Sequence, residues 1–154
     1  MPDMLVKLYD LPLCPPCKAL QREGIDIRRA LPPDKHIIIE WVRGKFGNGW
    51  ASECDVSFAN KPASCFIAVR DKKVIGFACY EATCRDFFGP TGVDEEYRGL
   101  GIGTQLLYAS LQAMKEMGYA YAIIGGAGPV DFYAKSVNAT VIPDSVPGIY
   151  KTMI

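Results

Sequence analysis

The sequence predicts a mixed α/β (α+β) domain in which helices flank a central, mostly antiparallel sheet. From residue 25 onward, segments with strand character and segments with helical periodicity follow the order βααβββαβαββ. Three of these strands follow one another without an intervening helix, which is typical of an antiparallel meander. One domain is expected, with residues 1–24 as an N-terminal extension and residues 25–154 as the core.

The composition suits a soluble globular protein. Of the 154 residues, 49% are hydrophobic and 22% are charged, which favours a full core and argues against disorder. Lys plus Arg and Asp plus Glu both number 17, so no basic excess indicates nucleic-acid binding. No apolar run could span a membrane and no secretory signal is evident, so a cytoplasmic protein with reduced cysteines is expected.

The N-terminal strands are predicted from short apolar segments. Residues 4–9 form the first strand, and residues 10–24 then make a proline-rich turn with a short helix from Pro16. In residues 25–31 apolar and charged side chains alternate, which is the pattern of a strand with one buried face.

Two helices are expected next. Residues 32–46 carry prolines and Asp34 at their start, where both are favoured, and then apolar residues at helical spacing up to the stop at Gly47. Residues 49–60 form a second, shorter helix. Within them Trp50 is expected in a mobile glycine loop, where an exposed aromatic side chain is a candidate for ligand binding.

The middle of the chain predicts three strands, at residues 64–71, 72–83 and 86–93. A helix over residues 101–117 follows, with one apolar row of leucine and methionine and with Gly118 placed to end it.

The C-terminal part continues the alternation of strands and helices. Residues 119–128 form a strand that leads into a glycine loop, and residues 129–138 form a helix with proline in its first turn. Residues 139–143 and 148–154 are predicted as two closing strands.

The stretch EEYRGLGIGTQLL, residues 95–107, predicts an anion site. It joins a strand to a helix through alternate glycines, and the unpaired N–H groups and the dipole at a helix start favour negative charge. Glycines allow a ligand to approach the backbone closely, and Arg98 adds a cation that can bind two phosphate oxygens. A pyrophosphate or another polyanion is the expected ligand.

Two common nucleotide motifs do not match this stretch. Gly99, Gly101 and Gly103 are followed by Thr104, whereas a dinucleotide fingerprint needs its third glycine at that position and near the front of a βαβ unit. A P-loop needs Gly-Lys-Ser/Thr, which is absent here.

The segment VDEEYRGLGIGTQLL resembles the acetyl-CoA-binding motif of the Gcn5-related N-acetyltransferases. That motif is Arg or Gln, two residues, Gly, one residue, then Gly or Ala, and it matches Arg98, Gly101 and Gly103. The order of strands and helices from residue 25 to residue 154 is also similar to this family. The resemblance implies direct transfer of an acetyl group from acetyl-CoA to a primary amine of a small molecule or of a peptide. A neutral protein with aromatic and acidic residues near the site fits a small cationic amine, such as an amino sugar.

The resemblance also implies where acetyl-CoA binds. Backbone N–H groups of the glycine loop would hold the pyrophosphate, and the strand before the loop would pair with the amides of the pantetheine arm. The strand at residues 119–128 would splay away from it and open a slot for the thioester. The implied cofactor-binding residues are Gly92, Val93, Arg98, Gly99, Leu100, Gly101, Ile102, Gly103 and Thr104.

The family often uses a tyrosine on the helix after the splayed strand as the general acid, and Tyr133 occupies that position. The candidates for the base are Glu81 and Asp86, with a chain of water molecules as the alternative. Trp50 and Tyr80 are expected to contact the amine substrate. No metal is expected, and since the family often dimerises, a homodimer is allowed.

Two other functions stay open. The chain could bind CoA as a sensor or regulatory module without turnover. Alternatively, Cys14 and Cys17 have the C-x-x-C spacing of redox motifs and of half a zinc site. The other cysteines do not complete a four-cysteine site, because Cys54 and Cys65 are isolated in sequence and the remaining pair is poorly spaced.

Overall fold

The computed structural model describes residues 1–154, which form seven strands and five α-helices. The strands are β1 (Met4–Lys7), β2 (Asp26–Arg29), β3 (Cys65–Arg70), β4 (Lys73–Tyr80), β5 (Phe87–Val93), β6 (Tyr121–Ile124) and β7 (Thr140–Val141). The helices are α1 (Lys18–Arg22), α2 (Lys35–Phe46), α3 (Asn48–Ser57), α4 (Ile102–Glu116) and α5 (Val130–Val137). None of these helices has the length and apolar character needed to cross a membrane.

All seven strands belong to one sheet, in the order β2-β3-β4-β5-β6-β1-β7. Every neighbouring pair is antiparallel except β5 and β6, which run parallel. The predicted class, a mixed and mostly antiparallel sheet with flanking helices, is confirmed.

Helices cover both faces of the sheet. Because successive side chains of a strand point to opposite faces, β4 sends Phe77 and Cys79 to one side and Ala78 and Tyr80 to the other. Phe77 and Cys79 pack with α2 and α3 in a core of 12 buried residues. Ala78 and Tyr80 pack with α4 and α5 in a core of 23 buried residues.

Strand β1 lies inside the sheet although it comes from the N-terminal extension. Met4 is paired with Ile124 of β6 on one side and with Val141 of β7 on the other. The Met4 and Val6 side chains are 1% and 0% exposed. The extension therefore contributes to the core of the sheet rather than adding an edge strand.

The prediction of a strand at residues 148–154 is wrong, because Gly148–Thr152 is a 3-10 helix. The position that a C-terminal strand could take beside β6 is already filled by β1, which pairs with both β6 and β7. Ile149, Met153 and Ile154 consequently remain exposed.

The other predicted elements are present with shorter ends. The strand predicted at residues 119–128 covers only Tyr121–Ile124, because the chain turns at its following glycines. The prediction that Trp50 lies in a glycine loop is wrong. Helix α3 begins at Asn48, directly after Gly47 at φ +94°, and Trp50 is in its first turn.

The buried position of β1 predicts a large effect of truncating Met4. Met4→Ala should lower the free energy of unfolding by about 2–5 kcal/mol, since it removes a buried side chain and leaves a cavity. Lys7→Ala, at an exposed position of the same strand, should change it by about 0.5 kcal/mol or less. Urea unfolding of the two variants measures both values, and equal effects would contradict the central position of β1.

Candidate active site

The sheet opens between its two parallel strands. β5 and β6 are paired only at Phe87 with Ile123 and at Phe88 with Ile124. Beyond that point β5 continues to Val93, whereas β6 ends at Ile124 and the backbone leaves the sheet at Gly125. Residues 89–93 therefore have no strand partner on this side, and a slot lies along their edge.

The direction of the backbone groups on β5 follows from one hydrogen bond. The N–H of Asp94, just after β5, donates to the carbonyl of Ile75 in β4 (2.9 Å), so Asp94 points its polar groups toward β4. Because alternate residues of a strand point their polar groups to opposite neighbours, Val93 points toward the slot. The Val93 carbonyl accepts a hydrogen bond from Nε of Arg98 at 3.3 Å.

Gly92 has a packing role in β5. It is paired with Phe77 of β4, and a Cβ at this position would collide with the ring of Phe46 from α2. The Phe46 ring in turn stacks on the indole of Trp50, with ring centroids 5.1 Å apart. The absence of a side chain at Gly92 thus lets this aromatic group lie directly on the strand.

The glycine loop forms the N-terminus of α4. Gly99 and Gly101 have φ of +84° and +87°, in the left-handed region that favours glycine. Gly101 is the N-cap, and the first helical hydrogen bond joins the N–H of Gln105 to its carbonyl (3.1 Å). The N–H groups of Ile102, Gly103 and Thr104 precede that bond, so they have no acceptor within the helix and can bind an anion.

Asp94, next to the loop, is held in an ion pair and as the cap of a short turn. Oδ2 of Asp94 lies 3.0 Å from Nζ of Lys45, and Oδ1 accepts from the N–H of Glu96 at 3.1 Å. The hydrogen bond from Lys45 lowers the pKa of Asp94 below its usual value. Arg98, by contrast, is 59% exposed and only loosely paired with Glu95 at 4.0 Å, so its guanidinium is available to a ligand.

The N-terminal extension packs against the glycine loop. The thiol of Cys17 donates to the carbonyl of Leu100 at 3.0 Å, and its sulfur would also lie 3.0 Å from a Cβ at Gly101. Gln105 donates to the carbonyl of Pro15 (2.9 Å) and accepts from the thiol of Cys14 (3.4 Å). Cys14 and Cys17 are both unpaired thiols, and they lie beside the loop.

Tyr133 lies on the α4–α5 face, next to the place where the strands part. Its ring is edge-on to that of Phe88, with centroids 6.3 Å apart, and Phe88 is the last residue of β5 that pairs with β6. The residue is 5% exposed, and burial raises the pKa of its hydroxyl to about 12. The phenol therefore stays protonated at neutral pH.

Glu81 and Asp86 lie together in the turn between β4 and β5. Both have positive φ, and Oε1 of Glu81 accepts the N–H of Asp86. The Asp86 carbonyl accepts from the N–H of Ile123 (2.9 Å), so the turn reaches the start of the β5–β6 pair. Glu81 therefore has a clear structural role as the cap of this turn.

The Asp86 carboxyl is unusual in its surroundings. Its Oδ1 is the one fully buried side-chain oxygen or nitrogen that lacks a hydrogen-bond partner. Burial, with the charge of Glu81 as a smaller cause, raises the pKa of Asp86 from 3.8 to about 6. Because its proton is held more tightly in the folded chain, this group contributes stability at low pH that is lost as pH rises through about 6.

The structure does not bring Trp50 and Tyr80 together. Trp50 is 38% exposed on the α2–α3 face, whereas Tyr80 is buried on the opposite face. The Tyr80 hydroxyl accepts a hydrogen bond from Nη1 of Arg29 at 2.5 Å. Tyr80 and Arg29 line a pocket of about 340 Å³ that also includes Glu81.

Sequence analysis missed one cluster of reactive side chains. Cys54, Cys65 and Cys79 are distant in sequence, yet their sulfurs all lie within 4.8 Å of one another in the interior. The one available signal was the hairpin of β3 and β4, whose register places Cys65 opposite Cys79. Nothing in the sequence indicates that Cys54 joins them.

The sequence model of the acetyltransferase (GNAT) family matches residues 35–136, about two thirds of the chain. The chain belongs to the acetyltransferase (GNAT) family. Residues 35–136 include α2, α3, the β3–β5 meander, the glycine loop, α4 and most of α5, so the match covers both walls of the slot. The N-terminal extension and β1 lie outside it. A search of curated protein sequences finds no significant match.

Solved structures of GNAT proteins share the fold. A glucosamine N-acetyltransferase region of a fungal multi-domain β-N-acetylglucosaminidase is 17% identical (TM-score 0.72), over 92% of this chain and 19% of that one. A GCN5-related N-acetyltransferase from Sphaerobacter thermophilus is 20% identical (TM-score 0.71), over 92% and 48%. A GNAT acetyltransferase from Brucella melitensis in complex with acetyl-CoA is 20% identical (TM-score 0.52), over 73% and 81%. The chain thus spans about half or less of the length of the first two.

Proposed function

We propose that this chain is an acetyltransferase that moves an acetyl group from acetyl-CoA to a primary amine by direct transfer. The observation that carries the proposal is the slot beside β5, which has the glycine loop at one end and Tyr133 at the other. From Phe88 to Val93 the strand extends over about 17 Å, at about 3.3 Å per residue. An extended ligand arm can pair with that free edge while an anionic group binds the loop.

Acetyl-CoA is proposed to bind along this slot. The N–H groups from Leu100 to Thr104 and the guanidinium of Arg98 bind the pyrophosphate, with Gly99 giving the loop its turn. Val93 offers its backbone N–H to the pantetheine arm, since its carbonyl already accepts from Arg98, and Gly92 positions the strand through its contact with Phe46. The acetyl-CoA complex of the Brucella protein supports this choice of ligand.

The chemistry requires one proton to leave the amine and one to reach the sulfur. The amine nitrogen attacks the thioester carbonyl carbon, a C–N bond forms, and the C–S bond breaks to release the CoA thiolate. Tyr133 is proposed to protonate that thiolate, because its buried hydroxyl keeps its proton at neutral pH. Asp86 is proposed to accept the amine proton, directly or through water.

Asp86 is preferred to Glu81 as the base for two structural reasons. Oε1 of Glu81 is already occupied by the N–H of Asp86, whereas Oδ1 of Asp86 has no partner. The raised pKa of Asp86, about 6, also makes it a stronger base than an ordinary carboxylate while it remains ionised at neutral pH.

The acceptor is proposed to be a small amine, an amino sugar among the first to test, or a peptide amine. The half-exposed indole of Trp50, stacked on Phe46 beside β5, offers a flat apolar surface on the α2–α3 face. Tyr80 lies on the other face of the sheet, where it lines a pocket with Arg29. If Tyr80 contacts the acceptor, the amine binds in that pocket rather than beside Trp50. Glucosamine is included because the similar fungal region is named for it.

Calorimetric titration with acetyl-CoA tests the proposal. Saturable one-to-one binding is expected, with no binding of NADH, since the loop lacks a dinucleotide fingerprint. Arg98→Ala should weaken the binding of acetyl-CoA about tenfold, because it removes one hydrogen bond to a charged group that solvent partly screens. Arg28→Ala, an exposed arginine on β2, should leave it unchanged. No binding of acetyl-CoA would overturn the proposal, and binding without turnover on any amine would indicate a CoA-binding module.

Replacing Tyr133 by Phe tests the general acid. Turnover should fall by about 10²- to 10⁴-fold while the Kd for acetyl-CoA changes little, because only the proton donor is removed. Tyr108→Phe is the matched control, because its hydroxyl is already committed as a donor to the carbonyl of Ser136 on α5 at 2.7 Å. That variant should lose about 0.5–1.5 kcal/mol of stability and keep its kcat. Equal kcat values for the two variants would exclude Tyr133 as the acid.

The pH dependence of kcat/KM tests Asp86 as the base. Activity should rise with pH through about 6 as Asp86 loses its proton, and Asp86→Asn should be slow and lack this rise. Glu81→Gln keeps an oxygen that can accept the Asp86 N–H but removes a negative neighbour, so it should stay active and move the rise to lower pH. A rise near pH 6 that persists in Asp86→Asn would assign it to another group.

A further inference from the structure

Three buried thiols meet between the sheet and the helices of the α2–α3 face. They are Cys54 of α3, Cys65 of β3 and Cys79 of β4, and each is 0% exposed. Their sulfur atoms all lie within 4.8 Å of one another. None of the three belongs to the proposed acetyl-CoA slot, and none forms a disulfide.

The three positions are fixed by independent parts of the fold. Cys65 and Cys79 are direct partners in the β3–β4 register and point to the same face, where Cys54 stands above them on α3. The end of α3 is tied down as well. Ser57 Oγ donates to the Cys54 carbonyl (2.5 Å), and the N–H of Ser64 donates to the Ser57 carbonyl (3.0 Å). The arrangement is therefore preorganised by packing and backbone hydrogen bonds.

The spacing is close to that of sulfur ligands around one ion. A bond of about 2.3 Å to sulfur places ligand sulfurs about 3.5–3.8 Å apart, for angles between those of a three-coordinate pyramid (about 100°) and of a tetrahedron. The three sulfurs, none more than 4.8 Å from another, need to approach by at most about 1.3 Å to reach that separation. Rotation of the side chains about χ1 provides movement of this size without a change in the backbone.

The absence of a buried counter-charge selects the ion. The buried polar residues of the chain are three serines, so no Lys, Arg or His is buried with the thiols. Three thiolates around a monovalent or divalent ion would leave net negative charge in an apolar core, which is costly. Three thiolates around a trivalent ion are neutral, and soft sulfur ligands prefer thiophilic elements.

We propose that Cys54, Cys65 and Cys79 form a three-sulfur binding site for a trivalent thiophilic metalloid, with arsenic(III) as its representative. Binding of arsenous acid is a ligand exchange without oxidation. Three As–O bonds break and three As–S bonds form, and the three thiol protons leave with the three hydroxyl groups as three water molecules. The product is a neutral As(S)₃ group that crosslinks α3 to β3 and β4.

The site is distinct from the Cys14–Cys17 pair. That pair supplies two thiols at the surface of the N-terminal extension, beside the glycine loop, and it has no third cysteine in its loop. Two sulfurs leave a trivalent ion with one hydroxyl ligand exposed to water and subject to exchange. Three buried sulfurs replace every oxygen and shield the ion from solvent, so retention after removal of free arsenite separates the two sites.

The test uses sodium arsenite and the chain of residues 1–154 with Cys14→Ala and Cys17→Ala, so that the buried cysteines and Cys84 remain. Because the site is closed to solvent, the chain is unfolded in urea and refolded with arsenite, which removes the barrier to entry. We expect one arsenic per chain after gel filtration, three sulfur neighbours around arsenic by X-ray absorption, and a raised Tm, since the ion binds the folded state.

Matched variants assign the ligands. Cys54→Ala, Cys65→Ala and Cys79→Ala should each lower retained arsenic by about tenfold or more, whereas Cys84→Ala should retain it fully. Circular dichroism identifies any variant that fails to fold. The number of sulfur neighbours around arsenic in the parent chain tests the site independently of the alanine variants. No arsenic retained by the refolded parent, or fewer than three sulfur neighbours, would overturn the proposal. So would retention undiminished in all three alanine variants. Acetyl-CoA is absent throughout, so the outcome is independent of the proposed acetyl transfer.

Discussion

The separation of β5 from β6 is the constraint on which the candidate site depends. Parallel strands would normally continue their ladder, but here the residues that follow β6 turn away from β5 and bond to the N-terminal segment instead. After Ile124 the N–H of Gly126 donates to Oδ1 of Asp3 (2.8 Å), and that of Ala127 donates to the Pro2 carbonyl (2.7 Å). The residues after β6 are thus bound to the N-terminal segment beside β1, on the side of β6 away from β5, and the slot lies on the other side.

The same N-terminal segment reinforces the sheet and touches the glycine loop. β1 pairs with β6 along its length, so the strand that loses β5 as a partner after Ile124 keeps a complete ladder on its other side. Further on, Cys17 contacts the Leu100 carbonyl at the start of α4. A segment of fewer than 25 residues thus reaches both ends of the slot, and its packing links the stability of the sheet to the shape of the site.

Local patterns in the sequence predicted the parts of the fold that local rules determine. The meander, the helix after the glycine loop and the position of Arg98 follow from periodicity and spacing over a few residues. The place of β1 does not, because its neighbours β6 and β7 lie more than 100 residues away and no short-range signal specifies them. The strand wrongly predicted at residues 148–154 has the same cause, because the long-range pairing of β1 with β6 and β7 decides which positions in the sheet are taken. The cysteine cluster and the distance between Trp50 and Tyr80 likewise depend on which face each element presents.

Burial raises the pKa of both proposed proton-transfer groups, yet it suits one of them to donate a proton and the other to accept one. An apolar environment disfavours the charged form of any acid, so it raises the pKa of both Tyr133 and Asp86. For a phenol this means that it keeps the proton it is to donate. For a carboxyl, whose ordinary value is far below neutral, the same effect brings the pKa to about 6, where the ionised form persists at pH 7 and is more basic. One physical cause can therefore prepare an acid and a base at the same end of the slot, because the two groups start from different sides of neutrality.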